Sequence, residues 1–103
     1  MEEENMKISM NLNGTKLEIA LEGRLDTTTA PELERTLKDS LKGVTDLTLD
    51  FSLLEYISSA GLRVLLSAQK VMSRQGEMKI TNVNEVVREV FDVTGFCDIM
   101  NIE

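Results

Sequence analysis

Along this chain the spacing of apolar side chains switches repeatedly between two residues and three to four, and this switching restricts the folds open to it. Ile8, Met10 and Leu12 alternate with polar residues, as do Leu17, Ile19 and Leu21, with Asn13-Gly14 between the runs. Alternation marks a half-buried strand, and Asn-Gly readily takes the positive φ angles of a type I′ turn, so the chain is expected to open with a hairpin. Gly23-Arg24-Leu25-Asp26 and the threonines 27 to 29 then break the second strand. A helix is expected from about Pro31, where the missing N–H costs nothing. Leu33, Leu37 and Leu41 form its apolar stripe, Glu34–Lys38 and Arg35–Asp39 pair on its wet side, and Gly43 ends it.

Leu47, Leu49 and Phe51 restore the two-residue period, and a loop is read from Ser52 to Tyr56. A second helix begins near Ser58 or Ser59, with Val64, Leu65, Ala68, Val71 and Met72 at helical spacing and Gly76 as its stop. Met78 and Ile80 make a short strand. Asn84 caps a third helix whose inner face carries Val86, Val87, Val90 and Phe91, and Gly95 closes it. Phe96, Ile99, Met100 and Ile102 are expected to fold back onto the core. The order β-β-α-β-α-β-α predicts an α/β fold, a small four- to five-stranded mixed sheet with amphipathic helices. Its hairpin is antiparallel and its right-handed crossovers are parallel; strand order stays open.

Composition removes most chemistries. The 103 residues suit one domain, 1–103, and 11 Lys plus Arg against 18 Asp plus Glu give a net charge of −7. That balance argues against direct nucleic-acid binding, which draws on clustered cations. The chain has no histidine, which excludes His-based acid–base catalysis and His-ligated metals. Its single cysteine, Cys97, cannot form an internal disulfide or a multi-thiolate zinc site, and is read as a buried small hydrophobe. The six methionines are read as core fillers. No cofactor is expected. No apolar run approaches the ~18 residues of a membrane span. The opening Met1-Glu2-Glu3-Glu4 is acidic where a secretory signal is basic, so a cytoplasmic location is expected.

The informative stretch runs from Asp50 to Arg63, joining a strand end to a helix start. N–H groups at a helix start lack helical partners and carry partial positive charge, so a hydroxyl there either caps the helix or offers an anion a favourable place. Gly61 either clears room for an approaching chain or packs on the sheet. Arg24, Asp26, Thr27 and Thr28 follow a strand and border the same end. Asp26 is equally a capping residue; Arg63 and Glu55 are rim positions or solvated surface, and Leu62 is an apolar anchor or core.

Asp50-Phe51-Ser52 with Ser58-Ser59-Ala60-Gly61-Leu62, and Gly23-Arg24-Leu25-Asp26 with Ala30 and Leu33, resemble the signatures of STAS domains, named for sulphate transporters and anti-sigma factor antagonists. The resemblance covers nearly the whole chain, and departs at Ser58, where many members carry Asp. It implies a bacterial anti-sigma factor antagonist rather than an enzyme. In such proteins a serine at the place of Ser59 is phosphorylated by an anti-sigma factor that is itself a serine kinase. The unphosphorylated antagonist binds that kinase and frees the sigma factor, and a serine phosphatase resets the switch. Ser59 is then the expected acceptor, with Ser58 as the alternative hydroxyl. The expected partner-binding set is Arg24, Asp26, Thr27, Thr28, Ser58, Ser59, Gly61, Leu62 and Arg63. A STAS subunit of a lipid-transport or other signalling complex is the alternative function. An enzyme finds no support in a Gly-rich phosphate loop with Lys, a metal cluster or a histidine.

Overall fold

Two-residue periodicity builds the hairpin, although the turn sits one residue later than its sequence suggests. In the computed structural model, which describes residues 6–103, β1 (Met6–Asn13) and β2 (Lys16–Leu25) pair antiparallel through Asn13 and Lys16. Gly14 and Thr15 are therefore the turn residues, and only Gly14 has positive φ, at +68°, the II′ rather than the I′ pattern. The acidic Met1-Glu2-Glu3-Glu4 lies outside the described residues.

The remaining elements follow as α1 (Ala30–Ser40), β3 (Asp46–Ile57), α2 (Ser59–Gln75), β4 (Glu77–Thr81), α3 (Glu85–Thr94), a 3-10 turn over Phe96–Asp98, and β5 (Asn101–Ile102). The sheet runs β1-β2-β3-β4-β5 in sequence order, antiparallel at β1–β2 and parallel at β2–β3, β3–β4 and β4–β5. The fold is α/β, with a mixed five-stranded sheet and three helices.

The expected loop from Ser52 to Tyr56 is instead strand. Two register shifts against β2 place Glu22 beside Leu53, Gly23 beside Leu54 and Arg24 beside Tyr56. Each shift inserts one extra residue into β3, so its buried side chains, Phe51, Leu54 and Ile57, stand three apart rather than two. A bulged strand breaks the alternation by which strands are recognised, which is why the sequence reads as a loop. β2 likewise continues through Gly23 and Arg24 to Leu25.

One sheet face is apolar. Leu17, Ile19, Leu21 and Leu25 of β2 join Leu47, Leu49, Phe51, Leu54 and Ile57 of β3 and Met78 and Ile80 of β4 in a single core. Leu33 and Leu37 of α1, Leu65, Ala68 and Met72 of α2, and Val87 and Phe91 of α3 complete it. Phe91 packs between Phe51 and Phe96, at centroid distances of 6.3 and 6.4 Å. Gln75 Nε2 donates to the carbonyls of Leu41 (2.6 Å) and Val44 (2.7 Å), tying the end of α2 to the chain leaving α1. Several single positions depart from their sequence reading. Val71 and Val86 face solvent, as does Ile99, while Met100 is buried. Cys97 is half-buried, and its thiol lies 2.9 Å from Asp92 Oδ1, which pushes its pKa up. Four methionines, Met6, Met72, Met78 and Met100, fill the core, whereas Met10 is exposed.

Candidate functional site

β2 and β3 are parallel and end side by side, which brings the turn after Leu25 next to the start of α2. Ser58 N donates to Leu25 O at 2.9 Å, stitching the two strand ends together. Ser58 is the N-cap residue of α2, with extended φ and ψ of −104° and 177°, and its carbonyl accepts the first helical bond from Leu62 N at 3.0 Å. The N–H groups of Ser59, Ala60 and Gly61 thus precede the first helical bond, and no acidic side chain lies in the first turn to balance them.

The two serines differ in what their side chains do. Ser58 occupies the cap position but makes no side-chain cap bond, and its Oγ is buried without a hydrogen-bond partner. Ser59 is exposed. Gly61 packs inward: a Cβ there would stand 2.6 Å from Leu25 Cγ and 2.9 Å from Ile57 Cγ1. Its lack of a side chain lets α2 sit down on the ends of β2 and β3, rather than opening room for another chain. Leu62 is 5% exposed and belongs to the core, so its side chain is not presented as a partner contact.

In the turn that follows β2, Asp26 is engaged as a cap. Its Oδ1 accepts from Thr28 N (3.0 Å), Thr28 Oγ1 (2.8 Å) and Thr29 N (3.2 Å), while Asp26 N donates to Thr29 Oγ1 (2.8 Å). This reciprocal arrangement is a capping box one turn ahead of α1. The Thr28 hydroxyl foremost, then the backbone amides of Thr29 and Thr28, hold the Asp26 carboxyl below its ordinary pKa against the opposing effect of desolvation. Thr29, buried, donates from Oγ1 to Arg24 O at 2.8 Å, and its part was not legible beforehand. Arg24 reaches Asp26 Oδ2 at 3.7 Å and lies over the Tyr56 ring at 4.6 Å from its centroid. Tyr56 is a second residue that sequence reasoning missed, because its pairing with Arg24 exists only in the bulged register.

Thr27 and Arg63, far apart in sequence, line one groove of about 230 Å³ between α1 and α2, with Pro31, Glu34, Ala60 and Ser67. Arg24, Asp26, Thr27, Thr28, Ser58, Ser59 and Arg63 therefore gather at one end of the sheet, with Gly61 and Leu62 beneath them. Asp50 does structural work elsewhere. Its Oδ1 accepts from Ser52 N (2.9 Å) and from Asn82 Nδ2 (3.0 Å), and these bonds, Asn82 first, hold its pKa low. Among the described residues no group of three or more His, Cys, Asp or Glu side chains could hold a metal ion, and no helix is long and apolar enough to cross a membrane.

The model of the STAS domain family matches residues 7–103. BtrV of Bordetella bronchiseptica, described as a candidate anti-sigma factor antagonist, is 38% identical over 99 residues, which span 94% of this chain and 85% of that protein. Among solved structures, an anti-sigma factor antagonist from Mycobacterium paratuberculosis superposes with a TM-score of 0.86 at 18% identity, covering 94% of this chain and 84% of that one. The Bacillus cell fate determinant SpoIIAA in its phosphorylated form gives a TM-score of 0.73 at 19% identity, over 94% and 91% of the two chains. At such identities the two structures speak for the fold; the family match and the 38% relative carry the kinship. The gathered strand ends, the serine-led helix and these matches agree, and the chain belongs to the STAS domain family, as a homologue of the anti-sigma factor antagonists.

Proposed function

We propose that this protein is a non-catalytic anti-sigma factor antagonist switched by phosphorylation of Ser59. Unphosphorylated, it docks on a serine-kinase anti-sigma factor through the strand ends and the first turn of α2, and a sigma factor is released. The kinase passes the γ-phosphoryl group of ATP to Ser59 Oγ. The hydroxyl proton is lost, ADP leaves, and docking weakens; a serine phosphatase hydrolyses the ester and restores binding. The observation that carries the choice of residue is the contrast between an exposed Ser59 and a Ser58 whose Oγ is buried. A kinase must surround its acceptor oxygen, and Ser58 offers no such access without opening the helix start.

The physical chemistry of the site suits a switch that leaves the fold intact. Phosphate adds about −1.5 to −2 charges and three acceptor oxygens. At the first position of α2 these face uncompensated N–H groups, a favourable setting for an anion. The added charge and bulk sit next in sequence to Ala60, which lines the groove with Thr27 and Arg63, at the end of the sheet where a partner would touch. The existence of a phosphorylated form of the structurally similar SpoIIAA adds support.

The test is phosphorylation in vitro with the candidate serine-kinase anti-sigma factors of the source organism and ATP, mapped by mass spectrometry. Ser59→Ala is expected to abolish the modification and Ser58→Ala to leave it. Phosphate on Ser58 alone, or a phosphorylated sample that binds the kinase as tightly as the unmodified one, refutes the proposal. Capture of lipid-transport components instead of a kinase points to the other STAS function.

A further inference from the structure

The geometry points to the outer edge of β1 as a self-pairing surface, through which two copies of this chain join their sheets antiparallel about a two-fold axis at Met10. β1 is an eight-residue edge strand whose pairing with β2 runs without a register shift. Among the described residues it carries one charged side chain, Lys7, and no proline. Bulges, prolines and several charges are the usual devices that keep an edge from pairing, and this one has almost none. It also shows apolar surface: Met10 is 52% and Leu12 62% exposed.

Which backbone groups are free follows from β2. Thr15 O accepts from Thr45 N at 2.9 Å, so odd-numbered residues of β2 turn their carbonyls toward β3 and even-numbered ones pair with β1. The partners of Lys16, Glu18, Ala20 and Glu22 are Asn13, Asn11, Ser9 and Lys7, which use their N–H and C=O groups inside the hairpin. Met6, Ile8, Met10 and Leu12 thus direct theirs outward. With the axis at Met10, each outward-facing residue meets another: Met10 meets Met10 of the second copy, and Ile8 meets Leu12. Side chains agree as well. Apolar residues fall opposite apolar ones on the helix-bearing face, Ser9 falls opposite Asn11 on the other, and Lys7 falls opposite Asn13, so no like charges meet in a chain whose net charge is −7. A shift of one residue would set groups already bonded to β2 against free ones. This self-complementarity favours a second copy over an unrelated strand.

One strand edge buries less than the about 1,200 Å² typical of stable interfaces, so the dimer is expected to be weak and concentration-dependent. Sedimentation equilibrium from 10 µM to 1 mM tests this, with circular dichroism confirming that each variant is folded. Wild type is expected to shift toward dimer across the range. Met10→Lys and Met10→Glu, at an exposed position, are each expected to stay monomeric, because like charges meet across the axis; their equimolar mixture is expected to dimerise. Ser9→Lys, which faces a neutral residue, is expected to dimerise like wild type. A wild type monomeric throughout, single Met10 variants that still dimerise, or a mixture that does not recover, each overturns the proposal. Edge pairing with a strand of another protein in place of a second copy would leave purified wild type monomeric.

Discussion

Adding one methyl group at Gly61 tests how the helix bearing Ser59 is seated. The new Cβ would stand 2.6 Å from Leu25 Cγ, 2.9 Å from Ile57 Cγ1 and 3.0 Å from Leu25 Cδ2. Leu25 and Ile57 are 0% and 1% exposed, so neither side chain has open space to retreat into, and Leu25 Cγ is a branch point rather than a flexible end. Overpacking of this kind costs about 1–3 kcal/mol. Replacing a helical glycine by alanine returns at most about 1 kcal/mol through chain entropy. The net expectation for Gly61→Ala is a loss of about 1–2 kcal/mol, which for a domain of this size lowers Tm by roughly 5–15 °C. Urea unfolding followed by circular dichroism measures it, with the midpoint falling and the slope unchanged. In a Leu25→Ala background the methyl meets vacated space, and its cost should shrink by about 1 kcal/mol or more. A Gly61→Ala variant as stable as its parent, or additive with Leu25→Ala, would refute the packing account of this glycine.

Other perturbations have definite signs. Ser58→Ala removes a buried hydroxyl that makes no bond, so it should be neutral or stabilising by up to about 1 kcal/mol, the reverse of the usual loss on removing an N-cap serine; urea unfolding decides. Asn84→Ala removes two bonds, acceptance from Val87 N (2.8 Å) and donation to Leu54 O (2.8 Å), and should cost about 1–2 kcal/mol by the same measurement. The carboxyls of Asp26 and Asp50 are held below the ordinary 3.8, so they stabilise the fold fully above that value. That contribution fades as pH falls through their folded pKa values. Carboxyl carbon titration by NMR should place both midpoints below 3.8, and Asn82→Ala should raise that of Asp50 while leaving Asp26 unmoved.

What the sequence made legible was whatever obeys a local period or cap. The Leu33–Leu37 stripe, the Asn84 cap and the glycine stop at Gly95, with φ of +80°, need only neighbours in the chain and stand where expected. Strand order, left open, required knowing which edges remain free. The stretch from Ser52 to Tyr56 misled because its strand is bulged, and a bulge is fixed by the partner strand rather than by its own residues. At the site, the gathering of Arg24, Asp26, Thr27 and Thr28 beside Ser59 was legible from two parallel strands ending together. The direction of Gly61 and Leu62 was not, since a small or apolar residue in a first helical turn reads equally as surface or core until the packing is known. Nothing in the local pattern set Tyr56 beneath Arg24.

The paired bulges of β3 carry a consequence for how the length of this protein can drift. Deleting one of the two extra residues between Phe51 and Ile57 would flatten one bulge and return that stretch to two-residue alternation, leaving Ile57 in the interior and the Ser59 helix on its seat. Losing both extra residues together would keep the inside–outside parity, straighten the strand and leave its interior contacts in place. Relatives with a shorter β3 should therefore have lost one or both residues at these bulges, rather than from the regular stretch before Phe51, where a one-residue loss would set the side chains on its two sides out of phase.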